Sequence, residues 1–295
     1  MFTGPSCRWT EGGWPDEDSA DETPTYNMLG GMRDTSNTQD GYRVRAVIRA
    51  VSLLELLRTS NGGASLNELA SRSDLAKPSV FRMLRTLEET GLVERVSGKD
   101  SYRLGVRCLA LGQAYLEQTD LRREALPVLE RLRSDFDETV HLGVLDDELR
   151  VVYLEKLETT HAVGVMMSKV GRTAPSHCTS LGHAMLAGSD EDLIGELELR
   201  GALGNATANT VSDPDALREI LAKVREQGYA LDLEGHEEGV RCVAAPIEDA
   251  SGRTVAAVSI SGPKHRLPKR LLQGDLARAT KAAAREIGHR LGAGR

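Results

Sequence analysis

Apolar positions between Val44 and Gly91 recur every three to four residues, in three bursts separated by breakers. Val44, Val47, Ile48, Val51, Leu54 and Leu57 share one face of a helix spanning Val44–Thr59, which Asn61, Gly62 and Gly63 end. Ser65 and Glu68 form an S-x-x-E capping box ahead of Leu66, Leu69 and Ala70. A short second helix is expected there, stopping at Ser73–Asp74. Pro78 suits the first turn of a third helix, with Val80, Met83, Leu84 and Leu87 as its buried stripe and Gly91 as its stop. The texture then becomes strand-like over Leu92–Val96, turns at Ser97–Asp100 and resumes over Ser101–Leu104. Two helices, a tight turn and a following hairpin predict a winged helix-turn-helix over 41–104, the first helix packing behind the other two.

The outer face of the third helix carries Ser79, Arg82, Arg85 and Thr86. A serine hydroxyl can donate to a phosphate or a base edge, and a guanidinium can reach phosphate or take both major-groove acceptors of guanine. Lys77 at the helix start, Lys99 in the wing turn and Arg103 on the second wing strand sit where backbone phosphates would be met. An ordinary helical hairpin with a solvated charged face has the same periodicity. The strand pair that follows is what favours the winged reading.

After the wing, residues 105–119 read as a connecting helix from Gly105 to about Gln118, with more apolar surface than a free linker needs. It is expected to pair with a partner subunit; packing only on its own domain is the plainer alternative. Asp120–Asp137 is an amphipathic helix carrying Leu121, Ala125, Val128, Leu129 and Leu132. Short β-like runs follow at Val140–Leu145, Arg150–Leu157, Val163–Val170, Val243–Ile247 and Val255–Ile260. Helices at Ser180–Ala187, Glu191–Leu199, Pro214–Gln227 and Pro268–Leu291 interrupt them. This mixture predicts an α+β domain on an antiparallel sheet over 120–295.

Charge sharpens the division. Residues 41–104 hold 11 Lys+Arg against 7 Asp+Glu, a net of +4, within a 295-residue chain whose formal net charge is -7. Residues 1–40 hold 2 against 8. A basic module on an acidic body fits local contact with DNA rather than coating of nucleic acid. The first 40 residues, rich in Gly, Pro, Asp, Glu, Ser and Thr, read as a disordered extension. Met28 and Met32 stand just before the first periodic segment, so translation is expected to start at one of them. Cys7, Cys108, Cys178 and Cys242 include no C-x-x-C pair, which argues against a disulfide framework or zinc ribbon and suits a reducing cytoplasm. No apolar run approaches the roughly 18 residues of a membrane span, and no signal pattern opens the chain.

Three blocks then carry a resemblance. The winged module contains Leu75-Ala76-Lys77-Pro78-Ser79-Val80-Phe81-Arg82-Met83-Leu84. The second region contains an unbroken block from Gly171 to Ala187, including Pro175-Ser176-His177-Cys178-Thr179-Ser180-Leu181-Gly182-His183. The third runs from Gly239 to Ile247 and is followed by Ser259-Ile260-Ser261-Gly262-Pro263. In order and spacing, about residues 43–292 resemble the isocitrate-lyase-regulator (IclR) family of bacterial transcription factors. The resemblance implies a GAF-like effector-binding domain, assembly as dimers or tetramers, and control of operons for small carbon compounds. It carries the effector pocket onto the backbone amides of Ser180 and Leu181 and the side chains of Asp232, Cys242, Ser259 and Ser261, with Met166, Val163 and Ala174 shaping its apolar side. The physical reading agrees: Ser180 and Leu181 open a helix whose free N–H groups attract an anion, and Ser259 and Ser261 lie two apart on a strand, facing the same way.

Two departures from the family pattern stand out. His183 occupies a position that is often lysine or arginine, and Pro78 and Phe81 stand where many members have a small polar residue and a histidine. His177, Cys178, His183 and Cys242 do not have the spacing of a closed zinc site, and no nucleophile signature surrounds Cys242. Neither a metal nor a cofactor is expected. The sequence thus predicts a cytoplasmic, non-enzymatic, homo-oligomeric regulator that binds near-palindromic operator DNA and responds to a small organic acid. The alternative is a small-acid-binding metabolic protein or enzyme whose winged module serves protein contacts.

Overall fold

The computed structural model describes residues 44–60, 62–161, 166–189 and 192–293. The acidic extension, the candidate starts Met28 and Met32, and Val163 lie outside these residues. In the basic module, α1 (Arg45–Arg58), α2 (Leu66–Ser73) and α3 (Lys77–Glu89) precede a three-stranded sheet of β1 (Ala64–Ser65), β2 (Val93–Arg95) and β3 (Ser101–Leu104), in the order β1-β3-β2. The local causes are those the sequence suggests. Ser65 Oγ accepts from Glu68 N at 3.3 Å while Glu68 Oε2 accepts from Ser65 N at 2.7 Å, closing the capping box. Asp74 ends α2 in the left-handed conformation at φ 52°, and Gly91, at φ 74°, turns the chain from α3 into β2.

The core of this module is Leu53, Leu57, Leu69, Val80, Leu84, Leu87, Val93 and Tyr102. The first helix departs from expectation here. It packs through Leu53 and Leu57, and the stripe Val44, Val47, Ile48 and Val51 stays exposed. The six-residue periodic face is wider than the module can cover, and its N-terminal half finds no partner among the described residues.

Next come α4 (Val106–Gln118), which has no buried residue, and α5 (Asp120–Phe136). A six-stranded antiparallel sheet follows, in the order β6-β5-β4-β9-β8-β7. Its strands are β4 (Thr139–Leu145), β5 (Arg150–Leu157), β6 (Thr173–Pro175), β7 (Ala230–Leu233), β8 (Val240–Glu248) and β9 (Thr254–Pro263). Alternation assigns each strand two duties. Val140, Leu142, Val243, Ala245, Val258 and Ile260 pack on α5 and on α10 (Ala277–Arg290). Tyr153, Ala174, Ala230, Ala244 and Ala257 pack on α6 (Ser180–Ala187), α7 (Leu193–Leu199) and α8 (Pro214–Gln227). The result is a sheet covered on both faces.

Two expectations for this part are corrected. Residues 166–170 are not a strand: the edge of β5 is taken by β6 instead, Val151 pairing with Ala174, and the chain reaches it through a turn at Lys169–Arg172 with Gly171 at φ 77°. The last helix is not continuous from Pro268. A short helical turn, α9 (Lys269–Leu271), leads into a wider π turn, Leu272–Leu276, where Gly274 leaves helical geometry before α10 begins.

Candidate functional site

The chemistry-bearing residues collect in two places. The first is α3 and the wing. Lys77, Arg82 and Lys99 are exposed, and none has an acidic partner among the described residues. Arg85 pairs with Glu88 at 3.1 Å and Arg103 with Glu94 at 2.6 Å, so these two cations are partly neutralised. Ser79 is half-buried. The Thr86 hydroxyl is spent on the Arg82 carbonyl at 3.1 Å. Arg95, which the sequence pattern does not single out, lies over the Tyr102 ring at 5.1 Å, donates to its hydroxyl at 2.9 Å and faces Glu88 at 3.6 Å.

The second place is a cavity between the sheet and the start of α6. Its lining includes Met166, Ser180, Leu181, Asp232, Cys242, Ser259 and Ser261. Strand register explains the convergence. Asp232 on β7 stands beside Cys242 on β8, which stands beside Ser261 on β9; one step along, Ser259 stands beside His141 on β4. At the helix end, the Thr179 hydroxyl caps α6 by accepting from Gly182 N at 3.2 Å. A side chain at Gly182 would come within 2.1 Å of the Ser176 carbonyl, so only glycine lets α6 pack on the preceding turn. The N–H groups of Ser180 and Leu181, the first two of α6, have no acceptor within the helix. The space free of protein atoms is narrow, about 430 Å³ with its mouth included. A roomier groove, lined by Leu186, Asp192, Arg218, Leu221 and Arg225, is a weaker candidate because its charges are already committed. Arg218 pairs with Asp192 and Asp215, and Arg225 donates to the Ala187 carbonyl.

The cavity also holds residues that periodicity does not reveal: His141, Tyr153, Ser168, Thr179, His236, Glu237 and Val240. His141 is the hub. Its Nε2 meets Ser168 Oγ at 2.9 Å, and its Nδ1 lies 3.4 Å from both Ser259 Oγ and Ser261 Oγ. Burial, with the Lys156 ammonium nearby, pushes its pKa down to about 3, so the ring is neutral. Lys156 in turn donates to the Ser168 carbonyl at 2.9 Å, tying the segment that carries Met166 and Ser168 to β5. Burial pushes the Asp232 carboxyl up to about 7, against the backbone N–H bonds of Gly235 and His236 that favour its anion. Burial raises the Cys242 thiol and, with Asp232 nearby, pushes Cys178 up to about 12. Neither sulfur is a ready thiolate. His183 Nε2 meets the His177 carbonyl at 2.6 Å, and His177 Nε2 meets the Gly204 carbonyl at 2.7 Å. Among the described residues no cluster of three or more His, Cys, Asp or Glu can hold a metal ion.

An IclR helix-turn-helix domain matches residues 46–97, and the C-terminal domain of bacterial IclR transcriptional regulators matches residues 113–289. The chain belongs to the IclR family. It is 32% identical over 249 residues to the HTH-type transcriptional regulator KdgR of Escherichia coli, covering 84% of this chain and 93% of that one. An IclR transcriptional regulator from Alicyclobacillus acidocaldarius has the same fold, with a TM-score of 0.73 and 25% identity over 85% of this chain and 100% of the other. An IclR homologue from Microbacterium hydrocarbonoxydans, solved in complex with 4-hydroxybenzoate, superposes with a TM-score of 0.66 at 27% identity, covering 83% and 98% of the two chains. The winged helix-turn-helix and the GAF-like α+β sheet are the two parts of an IclR-type, DNA-binding transcriptional regulator. No described helix is long and apolar enough to cross a membrane.

Proposed function

We propose that this regulator works in the cytoplasm as a homo-oligomer, that its paired winged modules read a near-palindromic operator, and that a small organic acid in the cavity changes that grip. The observation that carries the reading is the cavity itself. Four separate stretches of chain (β4, the start of α6, β7 and β9) bring helix-end N–H groups, two serine hydroxyls, an uncharged imidazole and a buried carboxyl together around one narrow space. Donors predominate, which suits a carboxylate or oxo group. The acid bound to the Microbacterium relative is of that chemical kind. On the DNA side, Lys77, Ser79, Arg82, Arg85, Lys99 and Arg103 are the proposed contacts, with Arg82 and the lysines leading because acids do not offset them.

Self-association is supported by exposed apolar side chains on two helices: one face of α1, formed by Val44, Val47, Ile48 and Val51, and both sides of α4, with Val106 and Leu109 on one side and Leu111 and Tyr115 on the other. Two-fold symmetry of the protein calls for matched half-sites in the duplex. The test couples two measurements on the full chain. Thermal-shift screening against keto, hydroxy and aromatic acids should find a stabilising ligand, because binding to the folded state stabilises by mass action. The same acid should shift the gel-retardation midpoint on duplexes from the neighbouring genomic region. A ligand that stabilises the chain without moving that midpoint would refute the coupling. The metabolic alternative predicts turnover of the acid and duplex binding insensitive to salt, whereas phosphate contacts make affinity fall steeply with ionic strength.

A further inference from the structure

Phe81 is the one large apolar side chain that α3 leaves exposed, at 42%. The helix sends Val80, Leu84 and Leu87 into the core. At about 100° per residue, Phe81 lies well round from that buried stripe. It stands four residues after Lys77 and four before Arg85, so the three form one ridge on the outer surface, with Arg82 beside it. No ring or cation contact involving Phe81 occurs among the described residues. A bulky hydrocarbon is therefore set among cations, on the surface of a module whose net charge is +4.

Charge complementarity selects the occupant. A polyanion is what Lys77, Arg82 and Arg85 would draw to this ridge, and in the DNA major groove the apolar mark on a base edge is the C5-methyl of thymine. A phenyl ring offers a base edge no conventional hydrogen bond, and contact with that methyl is the direct readout its chemistry suits. Resting on the DNA-binding reading above, we propose that Phe81 is a specificity-determining residue that reads a thymine methyl in each operator half-site. Its neighbours hold the phosphates and place the ring; the ring distinguishes thymine from cytosine, and equally from uracil.

The operator is found within the test itself. Duplexes are selected from a random pool with the full wild-type chain. Each thymine of the enriched duplex is then replaced in turn by deoxyuridine, which deletes the methyl and leaves base pairing intact. Wild type should lose about two- to four-fold in affinity per methyl at one symmetry-related pair of positions, the range expected for burying one such carbon. Phe81→Ala should bind the unmodified duplex more weakly and be indifferent to deoxyuridine at those positions. Phe81→Leu, which keeps an apolar group, should retain part of the discrimination. If no thymine matters, or if Phe81→Ala loses as much as wild type on methyl removal, the assignment is overturned while the DNA-binding reading stands. If the pool yields no enriched duplex, the DNA-binding reading falls and takes this assignment with it.

Discussion

Replacing Asp232 with asparagine should make the protein more stable, and by an amount that depends on pH. The carboxyl is 5% exposed and titrates near 7, against 3.8 in an open chain. Below the open-chain value it is protonated in both folded and unfolded states and has no effect. Between about 4 and 7 the folded state holds the proton while the unfolded state releases it, so stability falls as pH rises, and the full penalty is present above 7. At about 1.4 kcal/mol for each pH unit across that window, the upper bound is near 4 kcal/mol. Asparagine keeps an oxygen for Gly235 N, now at 2.6 Å, but accepts less strongly than a carboxylate, which returns about 1 kcal/mol. The expected gain is thus about 3 kcal/mol at pH 8, which for a unit of this size is about 6–12 °C in melting temperature. It should shrink to nothing by pH 4. Calorimetric melts of wild type and Asp232→Asn across that range are the assay. A pH-independent gap, or a variant less stable than wild type at pH 8, would refute the account. A carboxyl retained where it destabilises the fold is the pattern expected of a ligand contact.

Further outcomes follow from the geometry. Ser65→Ala removes the capping box and should cost about 1 kcal/mol, read as earlier hydrogen exchange through α2; unchanged protection would mean the cap contributes nothing. Arg266→Ala strips the two-pronged 2.7 Å clasp from Glu138, a buried residue, and should cost about 3 kcal/mol in urea unfolding. Breaking the exposed Arg123–Asp120 pair should cost well under 1 kcal/mol; equal losses at the two sites would show that burial is not the deciding variable. Arg82→Ala should weaken operator binding by about 1–3 kcal/mol if the guanidinium reads a base, and an unmoved gel-shift midpoint would remove it from the interface. Ser259→Ala combined with Ser261→Ala should blunt the response to the stabilising acid and spare DNA binding; intact induction would rule the two hydroxyls out of the pocket.

The winged module is legible in the sequence because its signals are local. A capping serine, a left-handed aspartate and a C-terminal glycine each act within a few residues, so periodicity and turn chemistry place α2, α3 and the wing almost to the residue. What is not legible depends on contacts distant in sequence. Nothing near Val44 says whether its stripe faces the module or solvent. Likewise β6 exists because Thr173–Pro175 meets β5, not because three residues carry a strand pattern. In the cavity, Ser180, Asp232, Cys242 and Ser261 are marked by family likeness; register then accounts for the meeting of Asp232, Cys242 and Ser261, and the packing of α6 on the sheet brings in Ser180. His141 illustrates the remainder. Its alternation with Val140 and Leu142 is visible and marks a polar residue on one face of β4, but only pairing of β4 with β9 puts that face beside Ser259.

Alternation along β8 and β9 has a practical corollary. Positions 242, 259 and 261 look into the chamber, while 243, 258 and 260 anchor the opposite layer. Inserting or deleting a single residue in either strand would exchange these duties wholesale, whereas point changes at the first set leave the anchoring set untouched. A biosensor library built on this scaffold should therefore randomise those inward positions by substitution alone, and place any length variation in the turn at 249–253, where the two strands are joined.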